Sequence, residues 1–327
     1  MEKCSLPLWK SCARVPFAKA ISRKHQMPDI KTISASPIAI VGHACTLPGV
    51  SSLAAMAEVL LQRKRTYDLF PSERIPHDGY LDAAAHVGMA KITTALGGVV
   101  ASAGGDGRDA AMVPEVPEVH RRVLEALQRA LASATLSRSA LRGQPVPIFL
   151  AHSRGGGHGL YDAALLSVAR QLLPYLVHSA HPHELPEPAL AAIVEQVCGK
   201  LRAAFGPRHI SEPRDRAVHR LAGVLAEELG TTEKALIVDG NCTGGLVALE
   251  LAQRELARGA PWAIAGALSY VDTVNQVLYA NSRLLSRRGC FPFAERGDGT
   301  VISDGVVVLV LASLEKAREQ RLPVLCV

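Results

Sequence analysis

Residues 235–258 read ALIVDGNCTGGLVALELAQRELAR, and the class of fold follows from how this stretch divides. Ala235-Leu236-Ile237-Val238 is a short apolar run, and Asp239-Gly240-Asn241 is a turn signal, so the pair predicts a strand followed by a sharp reversal. Cys242 then opens a helix whose first turn carries Thr243, Gly244 and Gly245. A cysteine at a helix N-terminus meets unpaired backbone N–H groups and the positive end of the helix dipole, and both favour thiolate over thiol. The thiolate is the nucleophilic form. Two glycines keep the first turn bare, which leaves room for a substrate to approach. Leu246, Val247, Leu249, Leu251, Ala252 and Leu256 make the helix apolar around most of its circumference, which predicts a helix buried at a domain centre. The local pattern alone also fits a structural cysteine on a core helix, because free cysteine is among the most buried residue types.

The flanking sequence alternates in the same way. Ile38-Ala39-Ile40-Val41-Gly42 is a continuous apolar run and predicts a strand covered on both faces. After the turn Cys45-Thr46-Leu47-Pro48-Gly49, residues 51–65 predict a helix with Leu53, Met56, Val59 and Leu60 on one side. Residues 67–107 are loop-rich, and residues 114–134 form a helix with proline at its start and an acidic first turn. Residues 146–151 (VPIFLA) predict a second buried strand that runs into His152-Ser153-Arg154-Gly155-Gly156-Gly157. This glycine cluster lacks the lysine and hydroxyl of a phosphate loop and the spacing of a dinucleotide loop, so it reads as a strand-end loop. Residues 160–205 are mainly helical around His178-Ser179-Ala180-His181-Pro182-His183-Glu184. The proline favours a solvated connector there over a metal site. Residues 215–229 form the helix that delivers the chain to the cysteine strand.

Beyond the cysteine helix, residues 261–268 predict a strand, 272–281 a helix, and 281–289 a loop bearing Arg283, Arg287 and Arg288. Cys290-Phe291-Pro292-Phe293 and the turn Arg296-Gly297-Asp298-Gly299 lead to the strand 306–311, the helix 313–319 and a final strand over 323–327. Strands alternating with helices place the chain in the α/β class.

Composition narrows the function classes. The chain has 327 residues, 48% of them hydrophobic and 20% charged, which excludes a disordered protein. Its net charge of +6 permits an acidic partner without requiring nucleic acid. Seven scattered cysteines without a CxxC pair fit free thiols in a reducing compartment, not a disulfide framework or a zinc site. No apolar run reaches the eighteen or so residues of a membrane span, so a soluble, cytoplasmic protein is expected. Residues 1–36 are basic and lack the apolar core of a secretory signal; they read as a solvated extension or docking segment, with a transit peptide as the alternative.

Three blocks, in order, resemble the N-terminal half of a β-ketoacyl synthase, the condensing enzyme of fatty-acid and polyketide assembly. IAIVGHACTLPG (38–49) is similar to the family's opening strand. VDGNCTGGLVALELA (238–252) resembles its nucleophile motif, D-[TA]-A-C-[SA]-[SA]-S-L-x-A, with Gly240, Asn241, Gly244 and Gly245 as departures. SRLLSRRGCFPFAERGDGTVISDGVVVLVLASLEKA (282–317) is similar to its Pro-Phe-Asp and glycine-turn block. DRAVHRLAGVLAEELG (215–230) resembles the helix before the active-site strand, and the long stretch near 160–213 looks like an insertion of the larger synthases.

The resemblance implies a thiolase-like layered α/β/α/β/α fold, its N-terminal half complete over residues 37–327 and its C-terminal half largely missing. It implies Cys242 as the catalytic nucleophile, with Asn241, Thr243, Gly244, Phe291 and Phe293 binding substrate. No cofactor or metal is expected: the substrates are acyl groups on the phosphopantetheine of an acyl carrier protein or on CoA. The expected partners are that carrier protein and either a second copy in a homodimer or a complementing C-terminal half; Arg283, Arg287 and Arg288 read as part of an ordinary solvated loop, with docking of the carrier's acidic face as the alternative. The family decarboxylates its malonyl substrate with two histidines in HGTGT-like and KxxxGH-like motifs C-terminal to the cysteine. All twelve histidines here, His25 to His219, precede Cys242. The expected activity is therefore acyl transfer to Cys242, the first half of a decarboxylative condensation. A catalytically incomplete scaffold that binds carriers or dimerises is the alternative.

Overall fold

The computed structural model describes residues 37–72, 75, 77–84, 91–100, 118–152, 173–175, 177, 179, 186–204 and 218–327. In chain order the elements are β1 (Ile38–Thr46), α1 (Leu53–Leu61), β2 (Asp68–Leu69), α2 (His77–Tyr80), β3 (Leu96–Gly97), α3 (Glu118–Ser133), α4 (Arg138–Leu141) and β4 (Ile148–Ala151). There follow α5 (Glu187–Ala204), α6 (Val218–Leu229), β5 (Ala235–Val238), a 3-10 turn (Asn241–Thr243), α7 (Gly244–Ala257), β6 (Trp262–Ser269), α8 (Thr273–Asn281), β7 (Gly305–Ser313) and α9 (Leu314–Glu319).

Among the described residues, β1, β7, β6, β4 and β5 form one mixed sheet in that order. β6, β4 and β5 run parallel, and β7 is antiparallel to both β6 and β1. Strand alternation sends Ile148 and Leu150 of β4, Ile264 of β6 and Val308 and Val310 of β7 to one face, where they bury against α3 and α6. Phe149 and Ala151 of β4 and Ala263 and Ala265 of β6 point to the other face and meet Ala248, Ala252 and Leu256 of α7. Small side chains on both partners let α7 lie close to the sheet. The result is a layer of α3 and α6, the sheet, and α7.

β1 meets β7 through a bulge, since Ile40 pairs with Leu311 and Gly42 with Val310. Val41 is the extra residue, so Val41 and Gly42 are buried in succession and the alternation resets. A side chain on Gly42 would meet the Ala130 carbonyl oxygen at 2.3 Å and Ala134 Cβ at 2.7 Å, so glycine here lets α3 touch the strand backbone.

Four expectations need correction. α7 is buried only at Gly244, Ala248, Ala252 and Leu256, while Leu246 is 71% exposed and Val247 is also exposed. The helix lies over β4 and β6 with one face, and no described residue covers the other. Ile38 and Ile40, on the edge strand β1, are only half-buried. Helix α1 forms, with the Ser52 hydroxyl accepting from the Ala55 N–H, yet none of its residues is buried, and Leu60 and Leu61 are exposed. The C-terminal segment is a single bridge instead of a full strand. Ile40 N–H donates to Cys326 O, and Leu325 N–H donates to Ile40 O, each at 2.9 Å.

The basic leader 1–36, the glycine cluster after His152 and the histidine run over 178 and 180–185 lie outside the described residues. Among the described residues no helix is long and apolar enough to cross a membrane.

Candidate active site

The strand order places a topological switch point at one end of the sheet. The chain leaves β4 and returns to its neighbour β5 with α6 on one face; it then leaves β5 and crosses the opposite face through α7 to reach β6, on the far side of β4. Such a reversal separates the two connections at the carboxyl ends of the strands, which is where ligands bind in parallel sheets. His152 follows β4 and the turn carrying Cys242 follows β5, so both stand at the carboxyl ends of neighbouring parallel strands.

The cysteine turn is tightly specified. Asn241 has φ 46°, a left-handed conformation that asparagine tolerates better than most residues. Its N–H donates to Asp239 Oδ1 at 3.4 Å. The N–H and hydroxyl of Thr243 both donate to the Gly240 carbonyl, at 3.0 and 2.8 Å. A Cβ at Gly240 would lie 2.9 Å from Gly244 Cα, and one at Gly244 would lie 3.1 Å from Ala151 Cβ. Gly240 and Gly244 are therefore needed to close the turn and seat the start of α7 on β4, beyond leaving the turn bare. Cys242 is exposed in the 3-10 turn, which replaces the core-cysteine alternative with an accessible thiol ahead of the first α-turn.

Asn241, Cys242, Thr243 and Gly244 are thus brought together in one turn. Phe291 and Phe293 lie on the loop before β7. Phe291 is half-buried beneath the Arg296 guanidinium, 4.1 Å from its ring centre, and Phe293 is fully exposed with φ 60°.

Four buried polar residues, His120, Arg122, His152 and Asp304, lie toward this end of the sheet. The His152 N–H donates to Val238 O at 3.1 Å, and its Nδ1 lies 3.1 Å from Leu268 O, which requires the proton on Nδ1. One residue thereby ties together the ends of β4, β5 and β6. Arg122 of α3 pairs with Asp304 at 3.2 Å and donates to Val100 O at 2.9 Å. Asp304 also accepts from the N–H of Val271 at 2.9 Å and of Val100 at 3.3 Å. His120 has its pKa lowered to about 4, first by burial and then by the Arg220 and His152 charges.

Sequence reasoning passed over these four. A histidine directly after a buried parallel strand is a signal that would have found His152. Arg122 and Asp304 are 182 positions apart, and no local pattern links them. Among the described residues no group of three His, Cys, Asp or Glu side chains is placed to hold a metal ion. What the turn presents is a solvent-accessible thiol just ahead of a helix start.

The family model for the β-ketoacyl synthase N-terminal domain matches residues 35–182 and 198–317. Mycoketide-CoA synthase of Mycobacterium tuberculosis is 29% identical over 313 residues, covering 92% of this chain and 6% of that protein. Polyketide synthase GfsA of Streptomyces halstedii is 26% identical over 314 residues, covering 89% of this chain and 4% of that protein. The chain thus spans only a small fraction of the curated relatives it matches. Among solved structures, the oxazolomycin ketosynthase domain of Streptomyces albus superposes with a TM-score of 0.64 at 21% identity, over 88% of this chain and 45% of that one. The ishigamide ketosynthase/chain length factor superposes with a TM-score of 0.61 at 18% identity, over 89% of this chain and 62% of that one.

Proposed function

The chain belongs to the β-ketoacyl synthase family, with a thiolase-like ketosynthase fold, and from that membership we propose that it is an acyltransferase of ketosynthase type whose nucleophile is Cys242. The observation that carries this reading is the exposed thiol of Cys242 on a strained turn at the start of α7. Its Sγ attacks the carbonyl carbon of an acyl thioester. The Sγ–C bond forms as the C–S bond to phosphopantetheine breaks, and the pantetheine thiol leaves with the proton that the cysteine gave up. The backbone N–H of Cys242 serves as one oxyanion donor. Asn241, Thr243 and Gly244 shape the turn that receives the acyl group, and Phe291 and Phe293 flank the approaching substrate. The protein needs no cofactor of its own, because pantetheine comes with the acyl donor.

The condensation that follows requires a group to polarise the malonyl carbonyl. The family's two histidine motifs would come from a complementing C-terminal half. Exposed Leu246 and Val247 on α7 support such a covering partner, and exposed Leu236 on edge strand β5 supports a homodimer. Intact mass after incubation with an acyl thioester tests the reading: wild type gains the acyl mass and Cys242→Ala does not. An equal adduct on both, or none on wild type, would overturn acyl transfer and leave the scaffold reading.

A further inference from the structure

The start of α7 rests on the ends of two strands. Gly244 is buried against β4, where an added Cβ would stand 3.1 Å from Ala151 Cβ, and one on Gly245 would stand 3.5 Å from Ala267 Cβ of β6. Ala151 and Ala267 are the last register partners of the parallel ladder between those strands. The cysteine turn is continuous with this helical turn, because the Gly244 N–H donates to the Asn241 carbonyl across Cys242 and Thr243. Where the two strand ends stand therefore fixes where Cys242 stands.

One side chain joins those ends from the other side of the sheet. His152 follows Ala151 and Leu268 follows Ala267, and the His152 ring donates from Nδ1 to Leu268 O at 3.1 Å. The bond adds a rung to the β4–β6 ladder just past its last backbone pair. Strand alternation turns His152 away from the Ala151 face, toward the face covered by α3 and α6. The residue is 4% exposed there and within electrostatic reach of His120 on α3. Its backbone N–H holds Val238 O at 3.1 Å, four positions before Cys242. A buried hydrogen bond is expensive to leave unmade, so the ring keeps the strand ends in one relative position.

We propose that His152 is a positioning residue for Cys242: from the opposite face of the sheet, its ring locks together the ends of β4 and β6 on which the first turn of α7 sits. The inference rests on the acyl-transfer reading above. Buried beneath the sheet, the ring does not meet the substrate. It keeps Sγ and the Cys242 N–H in place for attack on the thioester carbonyl, so its loss slows acylation and leaves substrate affinity unchanged.

Two variants separate the donor from its bulk. Asparagine places an amide N–H where the imidazole has Nδ1, and leucine keeps an apolar side chain with no donor. With an N-acetylcysteamine thioester, the maximal rate of Cys242 acylation should fall about tenfold or more in His152→Leu at an unchanged half-saturating concentration, and recover to within about threefold of wild type in His152→Asn. Hydrogen–deuterium exchange reads the turn without any acyl chemistry: amides of residues 239–248 should exchange about fivefold faster or more in His152→Leu, while those of β1 and β7 keep their wild-type rates. If His152→Leu loosens β1 and β7 as well, His152→Gln, whose amide reaches beyond the Nδ1 position, takes its place. Global loosening in both variants assigns His152 to the fold as a whole and overturns the proposal. Unchanged exchange at the turn overturns it too, as does faster exchange with an unchanged acylation rate, or an equal loss in His152→Asn. If wild type takes up no acyl group while the turn loosens in His152→Leu and is restored in His152→Asn, the positioning stands and acyl transfer falls.

Discussion

Arg122 of α3 and Asp304, the residue preceding β7, form a buried ion pair at 3.2 Å, with 6% and 0% of their side chains exposed. The carboxylate also receives the N–H groups of Val100 and Val271, so one side chain joins three segments around the end of the sheet. Removing one member leaves the other buried without this counter-charge. Asp304→Ala is expected to destabilise the fold by about 3–5 kcal/mol, read as a lower urea midpoint. A loss below about 1 kcal/mol would show that Asp304 is not the tie.

Gly42 and Gly223 should respond to alanine with opposite signs. A Cβ at Gly42 would lie 2.3 Å from the Ala130 carbonyl and 3.2 Å from Val310 Cβ, so α3 must move off the sheet. Gly42→Ala is expected to cost about 1–3 kcal/mol. Gly223 lies within α6, with nothing within 4 Å of a built Cβ, and Gly223→Ala should stabilise by up to about 1 kcal/mol through helix propensity. Chemical denaturation of both variants checks the pair.

Stability should fall in mild acid. Buried His120 has a folded pKa of about 4 against an ordinary value of 6.5, so the unfolded chain binds the extra proton between those values. The contribution is fully present above pH 6.5 and is lost as pH falls toward 4, amounting to about 3 kcal/mol. Urea midpoints measured across that window should decline in wild type and decline less in His120→Gln. A parallel decline in both would remove His120 as the cause.

Thiol accessibility divides the cysteines among the described residues. Cys242, Cys290 and Cys326 are exposed, whereas Cys45 and Cys198 are buried. Iodoacetamide should label the first three in the native protein and the other two only after unfolding, as read by peptide mass spectrometry. Native protection of Cys242 would contradict the open turn.

The cysteine turn was legible because its instructions are local. A four-residue apolar run, Asp239-Gly240-Asn241 and the paired glycines specify strand, reversal and helix start within about ten positions, and β5, the 3-10 turn and α7 follow them. The order of strands and helices around it was legible for the same reason. The bulge at Val41 was not, because it is defined by which residues of β7 lie opposite. His152 was visible as a strand-end residue, but its bonds to Val238 and Leu268 depend on β4 lying between β5 and β6.

By itself, then, the sequence determined the α/β alternation, the turn that presents Cys242 and the membership those motifs imply, since periodicity and turn chemistry act between near neighbours. Only the tertiary structure decided that α7 leaves Leu246 exposed and that Arg122 finds Asp304. It also decided that the loop bearing Phe293 and its arginines emerges at the edge of the sheet that carries Cys242. Those outcomes depend on strand order and on which face each helix covers, and burial and charge pairing between distant residues exist only once the chain has closed on itself.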